Sequence, residues 1–402
     1  MQTSSTTWPG SSSQRTTRRG APEAAAAAPQ ALSALLARAD IRLNGDRPWD
    51  IQVHRSRLYR RVLTGWSLGL GESYMDGDWD CEQLDGMFTR LMRHNLEQRA
   101  LGLSRLRLGL ALLAASLTNP QREERAFVVA DRHYDLGNDL YERMLDSRMI
   151  YSCAYWARAG TLEQAQADKL EMICRKLELR PGMTLLDIGC GWGGLAEHAA
   201  RHHGARVTGI TVSREQQALA QQRCAGLPVE ISLIDYRQLE GRFDRIVSVG
   251  MFEHVGPKNH AVYFDTARRL LADDGLFLLH TIGIDQPATH TDPWIEKYIF
   301  PGGKLPAPGE LACAVQRDFV IEDWHNFGPD YDRTLMAWYE NFEATWPALR
   351  ERYGERFRRM WHYYLLSCAG FFRSRQGQLW QLVLSRRGRP ATYRSIRPFG
   401  TV

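Results

Sequence analysis

A strand, a turn made almost wholly of glycine, and a helix follow one another between Thr184 and His203, and this order leaves few folds open. Thr184–Ile188 reads as a buried strand, Gly189-Cys190-Gly191-Trp192-Gly193-Gly194 as the turn, and residues 195–203 as a helix that Gly204 stops. Strand patterns return at Arg206–Thr211, 229–234, 245–249 and 276–281, with a helical pattern over 260–271 between the last two. Thr161-x-x-Gln164 and Ser213-x-x-Gln216 are capping boxes that open two more helices, the first ended by Pro181-Gly182 and the second near Gly226. Strands alternating with helices of this length predict a doubly wound α/β domain whose parallel sheet is covered on both faces.

The glycine turn is the place where such a domain takes a ligand. Gly189 permits a tight turn, Gly191 lets a ligand approach the backbone, and Gly194 lets the helix pack on the strand. A dinucleotide requires an acid at the end of the second strand, but that strand ends Ile210-Thr211-Val212-Ser213, and Glu215 already lies inside the next helix. S-adenosylmethionine has no phosphate and carries a sulfonium and an amino-acid moiety. Asp187 beside the turn and Asp235 after the third strand suit it, although either aspartate also reads as a turn or helix cap.

The remaining chain divides around this core. Residues 1–30 read as a disordered tail, 31–117 as a small, mainly helical N-terminal domain, 118–125 as a linker, 126–386 as the catalytic domain, and 387–402 as a basic tail. Within the small domain, residues 31–39, 83–96 and 101–117 read as helices, and 41–43 and 51–53 as short strands about Asn44-Gly45. Beyond Asp285 the strand–helix alternation fades and aromatic residues crowd in, most of them core and some suited to line a long apolar cavity. The seven cysteines are scattered without a C-x-x-C pair, so neither a disulfide framework nor a structural zinc site is expected, and a reducing cytoplasm is. His202-His203 beside Gly204 reads as a capping or surface pair. The longest apolar run, 108–117, is about half the roughly twenty residues that a membrane span needs, so membrane contact is expected to be peripheral.

Several longer strings are more specific: GLGESYMD from Gly69, HYDLGND from His133, YSCAYW from Tyr151, LDIGCGWGG from Leu186, SVGMFEHVGP from Ser248, LHTIG from Leu279 and YIFPG from Tyr298. With these strings in order, residues 31–386 resemble the cyclopropane-fatty-acyl-phospholipid synthases closely and the mycolic acid cyclopropane synthases somewhat less. The resemblance implies a methyltransferase that uses S-adenosylmethionine to build a cyclopropane ring on the double bond of an unsaturated phospholipid acyl chain. An alkene is a poor nucleophile, so it needs an electrophile as strong as the sulfonium methyl. Transfer leaves a carbocation, from which a base removes a proton so that the ring closes. The resemblance implies bound bicarbonate for that step.

Carried over position by position, the resemblance implies an anion site of Cys153, Glu253, His280, Ile282 and Tyr331. Cys153 and Ile282 are expected to offer backbone N–H groups, His280 a ring donor and Glu253 an acceptor; Tyr331 also suits a cation with its ring face. Alone, Glu253-His254 reads as a cap or surface pair and His280 as a satisfied core histidine. The cofactor residues implied are Tyr151, Ser152, Gly189, Cys190, Gly191, Thr211, Gln216, Asp235 and Tyr236, to which the strand–turn reading adds Asp187. Cys368 occupies a position where similar family members carry cysteine; the chemistry needs no thiol nucleophile, so packing is the better reading.

The net charge of +5 is mildly basic and favours an anionic partner, lipid head group or nucleic acid, without choosing between them. The resemblance selects the bilayer and not nucleic acid, and it implies a dimer through the small domain. Arg93, Arg99, Arg105 and Arg107, or Arg386, Arg387, Arg389, Arg394 and Arg397, are candidates for a docking surface, or else solvated charged faces. Two other readings compete: a methyltransferase of small molecules or nucleic acid, and a non-catalytic lipid-binding protein with the same fold.

Overall fold

The computed structural model describes residues 28–94, 137–288 and 290–397. In chain order the elements are α1 (Gln30–Ala37), β1 (Gln52–Val53), α2 (Arg57–Met75), β2 (Trp79–Asp80), α3 (Leu84–Arg93), α4 (Asn138–Met144), α5 (Leu162–Lys176), β3 (Thr184–Ile188), α6 (Gly194–His203), β4 (Arg206–Thr211), α7 (Arg214–Arg223), β5 (Val229–Leu233), β6 (Phe243–Val249), α8 (His260–Leu270), β7 (Leu271–Ile284), α9 (Pro293–Tyr298), α10 (Pro308–Val315), β8 (Phe319–Asn326), α11 (Pro329–Arg373) and β9 (Gly377–Arg386). Gly354, at φ 75°, breaks α11 into two helices that run on from one another.

The strands from β3 to β7 pair in parallel in the order β5-β4-β3-β6-β7. Strand order reverses beside β3, which places a crevice at the carboxyl ends of β3 and β6. The local signals act as the sequence suggests: Thr161 and Ser213 each accept a hydrogen bond from the backbone N–H three residues on, and Gly204 ends α6 in the left-handed conformation.

Three expectations are corrected. The sheet is mixed, because β9 enters between β7 and β8 and runs antiparallel to both. The stretch beyond Asp285 therefore completes the sheet even though its strand–helix alternation has faded. Residues 41–43 do not form a strand; Leu43 makes a single bridge to Ile51, and the partner of Gln52–Val53 is Trp79–Asp80. Finally, the C-terminal arginines are not a free basic surface. Arg386 pairs with Asp273 at 2.7 Å, Arg389 with Asp274 at 3.2 Å, and Arg397 with Asp323 at 2.6 Å, while Arg387 donates to the Gln316 carbonyl; Arg394 is exposed. The proposed helix over 101–117, the linker, the tail before residue 28, Arg99, Arg105 and Arg107 lie outside the described residues.

One core runs from the N-terminal helices into α11 and joins Trp79, Phe88, Tyr363 and Trp294. The approach of α3 to α11 depends on Gly370, where a Cβ would lie 2.6 Å from the Phe88 Cβ and 2.9 Å from the Thr89 nitrogen. Gly370→Ala is expected to lower stability by about 1–3 kcal/mol, the usual cost of overpacking. Chemical denaturation checks this, and an unchanged midpoint would show that the two helices part freely.

Candidate functional site

The polypeptide turns away from the sheet at Gly189, whose φ of 85° an L side chain seldom adopts. The N–H groups of Gly189 and Cys190 both donate to the Ile210 carbonyl at 3.0 Å, which ties the turn to β4. Gly194 has a different partner from the one expected. Its Cβ would lie 2.5 Å from Ile150 Cδ1 and 2.8 Å from the Arg148 carbonyl, so it admits the segment before Tyr151, not the strand.

All ten predicted cofactor residues line one cavity of about 230 Å³ above this turn: Tyr151, Ser152, Asp187, Gly189, Cys190, Gly191, Thr211, Gln216, Asp235 and Tyr236. Thr211 donates to Gln216 Oε1 at 2.9 Å, joining the end of β4 to the first turn of α7. Asp235 caps the short turn Tyr236–Gln238 and holds the Arg237 guanidinium at 2.7 Å. Asp235 is thus a cap that also lines the cavity.

Lys169 and Trp192 also line the cavity, and sequence reasoning missed both. Lys169 is 1% exposed and donates to Ser152 Oγ at 2.9 Å. Its signal was available: Ala165, Lys169 and Ile173 lie four residues apart on the buried stripe of α5, where a lysine is out of place. Desolvation pushes the Lys169 ammonium down to about 8. Burial likewise pushes the Asp187 carboxyl up to about 7, against the pull of Lys169, and Asp187 Oδ2 has no hydrogen-bond partner. Trp192 packs its ring 5.0 Å from Tyr141 and donates to Asn138 Oδ1 at 3.1 Å, so the turn is braced by α4.

The second group of predicted residues lies outside the lining of that cavity. Glu253 is buried in the turn Phe252–His254, so it is neither a cap nor a surface residue. His280 and Ile282 lie two apart on β7, hence on one face. Gln381 of β9 sits with its amide nitrogen 3.2 Å from His280 Nδ1; donation from that amide leaves the proton on Nε2, which has no partner. Glu253 Oε2 is also buried without a partner, while its Oε1 accepts from the Ile282 N–H at 2.7 Å. That bond corrects one expectation: the Ile282 N–H serves Glu253 and is not free for an anion. The Thr334 hydroxyl lies 3.9 Å from Cys153 Sγ, and Thr334 follows Tyr331 by one turn of α11. The Tyr331 ring stacks on Phe372 with centroids 4.5 Å apart.

Burial sets the protonation states here. Desolvation holds the His280 imidazole neutral, well below its ordinary range, and pushes Glu253 up from 4.5 to about 7 against the Ile282 hydrogen bond. The Cys153 thiol is driven well upward and that of Cys368 up to about 12, so neither is a thiolate at neutral pH. Cys368, half-buried against the aromatic core, packs as expected.

Because folding raises the Glu253 pKa, the folded protein holds a proton between pH 4.5 and 7 that the unfolded chain has released. Stability contributed by this group is therefore full below 4.5 and falls as pH rises through 7. Glu253→Gln keeps an acceptor for Ile282 and removes the buried charge. The variant is expected to be more stable than wild type at pH 8 by roughly 2–3 kcal/mol, with the difference vanishing near pH 4.5. Urea titrations at the two values check this; a pH-independent difference would show that Glu253 does not titrate in the fold.

Comparison with known proteins agrees with this architecture. The family described as Mycolic acid cyclopropane synthetase matches residues 121–382. The chain is 55% identical to the cyclopropane-fatty-acyl-phospholipid synthase of Escherichia coli over 352 residues, 88% of this chain and 92% of that one. It is 35% identical to cyclopropane mycolic acid synthase 1 of Mycobacterium tuberculosis, covering 63% of this chain and 95% of that one. Among solved structures, a cyclopropane synthase from Mycobacterium tuberculosis superposes with a TM-score of 0.61 at 34% identity, over 65% of this chain and 98% of that one. The chain therefore belongs to the mycolic acid cyclopropane synthetase family and carries its Rossmann-like S-adenosylmethionine methyltransferase fold.

Proposed function

We propose that this protein transfers a methylene group from S-adenosylmethionine to the cis double bond of an unsaturated phospholipid acyl chain, forming a cyclopropane ring. The observation that carries the reading is the pair of unpartnered buried atoms, Glu253 Oε2 and His280 Nε2, on an aromatic wall that offers no ionised thiol. An alkene attacking a sulfonium methyl needs no nucleophile from the protein. It needs exclusion of water, an aligned methyl group and somewhere for one proton to go. The methyl carbon leaves sulfur and bonds to one alkene carbon, and the resulting cation loses a methyl proton as the ring closes, for a net gain of one CH₂.

Asp187, Thr211, Gln216 and Asp235 suit the polar ends of S-adenosylmethionine, and the glycine turn admits it to the backbone. Bicarbonate fits the second site, since its hydroxyl suits the Glu253 acceptor and its oxygens suit the His280 N–H. Bound there, it supplies the base for the released proton. Glu253 and His280 hold that position, Gln381 fixes the His280 tautomer, and Tyr331, Phe372 and Trp338 keep the surroundings dry.

No described helix is long and apolar enough to cross a membrane. As part of the same proposal, the bilayer substrate is reached by peripheral docking at the cytoplasmic face, with the protein acting as a homodimer. Incubation with S-adenosylmethionine and unsaturated phospholipid vesicles is expected to give acyl chains heavier by one methylene and free of alkene. A methyl-branched or exomethylene product would overturn ring formation, and no lipid product would overturn the whole reading. Vesicle binding is expected to weaken steeply with salt.

A further inference from the structure

Between α5 and α6, outside the lining of the cavity, side chains with metal-ligating chemistry converge. Cys174 Sγ, a nitrogen of His198 and a nitrogen of His203 all lie within 4.8 Å of one another. Glu171 stands beside both imidazoles, its Oε2 at 3.0 Å from His203 Nε2 and 3.6 Å from His198 Nε2. Glu171 and Cys174 share a face of α5 three residues apart, and the two histidines come from α6, the last of them held where Gly204 ends the helix.

Glu171 pairs closely with His203 at 3.0 Å but stands 3.6 Å from His198, too far for a hydrogen bond, and it leaves Cys174 unexplained. The His198 side chain is only 10% exposed, and its Nε2 is buried without a hydrogen bond. Cys174 is wholly buried, with its sulfur facing the same histidines. Leaving a polar nitrogen unpaired in the protein costs free energy, and a cation placed among these atoms would relieve it.

We propose that Cys174, His198 and His203, with Glu171 closing the fourth side, form a binding site for a zinc-class divalent transition metal. One sulfur, two imidazoles and a carboxylate make a tetrahedral donor set that zinc accepts and that the oxygen-seeking magnesium and calcium do not. Tetrahedral bonds of 2.0–2.3 Å place ligand atoms about 3.3–3.8 Å apart. Glu171 stands 3.0 and 3.6 Å from the two imidazoles and the other three donors lie within 4.8 Å of one another, so side-chain rotation closes the cluster on a metal. The metal would clamp α5, which carries Lys169, to α6, whose first residue ends the glycine turn. No sequence motif announces it, because each helix contributes only half of the donors.

The test uses the untagged full-length chain, stripped with a chelator and dialysed. Zinc titration is expected to show one equivalent bound with a raised melting temperature. Cobalt, used as a spectroscopic probe, is expected to give visible bands of tetrahedral intensity with a thiolate-to-metal charge-transfer band. Cys174→Ser should abolish the charge-transfer band. Since Cys174 is buried, His203→Gln, at a half-buried helix end, provides a variant that folds; it is expected to weaken zinc by at least roughly the 10–100-fold that even an outer partner is worth. Absence of stoichiometric zinc binding, a cobalt spectrum without sulfur character, or affinity unchanged in both His198→Gln and His203→Gln would each overturn the proposal. The outcome is independent of the methyltransferase reading, because none of these residues lines the cofactor cavity.

Discussion

Glu253→Gln and His280→Ala are each expected to lower the rate of cyclopropane formation by roughly 10²–10⁴-fold, the usual worth of a positioned proton-transfer group, while binding of S-adenosylmethionine stays within about twofold. The reason lies in where the two side chains stand. Neither lines the cavity that holds the ten cofactor residues, yet each ends in a buried atom without a partner. Glu253→Gln keeps the 2.7 Å bond to Ile282 and the volume of the side chain, so the turn Phe252–His254 is retained. What changes is the acceptor at Oε2, which becomes an amide donor. His280→Ala removes the N–H that Gln381 positions. Single-turnover product analysis with calorimetry of cofactor binding separates the two effects. Turnover unchanged in both variants would remove these residues from the chemistry.

Gly189→Val is expected to weaken S-adenosylmethionine binding by roughly 30–100-fold, corresponding to about 2–3 kcal/mol of left-handed backbone strain. At φ 85° a β-branched residue is strained in any surroundings, and here its Cβ would also lie 3.0 Å from the Met251 Cβ. The free protein escapes by relaxing the turn, and binding must then restore it at that cost. Gly160→Ala is the control: it has ordinary backbone angles, and no atom lies within 4 Å of the added carbon. Calorimetry on both variants checks this. Equal loss in the two would point to general destabilisation and not to the turn.

The sequence was most legible where secondary structure and ligand chemistry share a few adjacent residues. Thr184–Ile188 and Arg206–Thr211 have the bounds expected for them, because each is a buried parallel strand closed at both ends by glycine, proline or a capping residue. Strand β9 was not legible. It follows the two-part helix α11 and pairs in the opposite direction, so the periodic rule that located the earlier strands no longer applied. Its residues Leu379, Trp380, Leu382, Val383 and Leu384 are an apolar set interrupted only by Gln381, which the surrounding aromatics concealed. The residues expected to hold the cofactor could be read as a group because they cluster at strand ends, where the structure brings them to one cavity. Lys169 was not, because a lysine within a helix reads as a solvated face until its place on the buried stripe is counted. The engagement of the Ile282 N–H by Glu253 depends on two segments 29 residues apart, which spacing alone does not reveal.

The late strand also sets an order of events during synthesis. Because β9 lies between β7 and β8, a nascent chain that has emerged only as far as Arg373 has two sheet edges standing apart and no Gln381 to lock the imidazole opposite it. The wall that carries His280 and Gln381 is thus among the last parts to be assembled, after the glycine turn has formed its own local structure. A ribosome-bound chain stalled at that length should expose the apolar residues of β7 to chaperones, and should become protected only when the final strand is released.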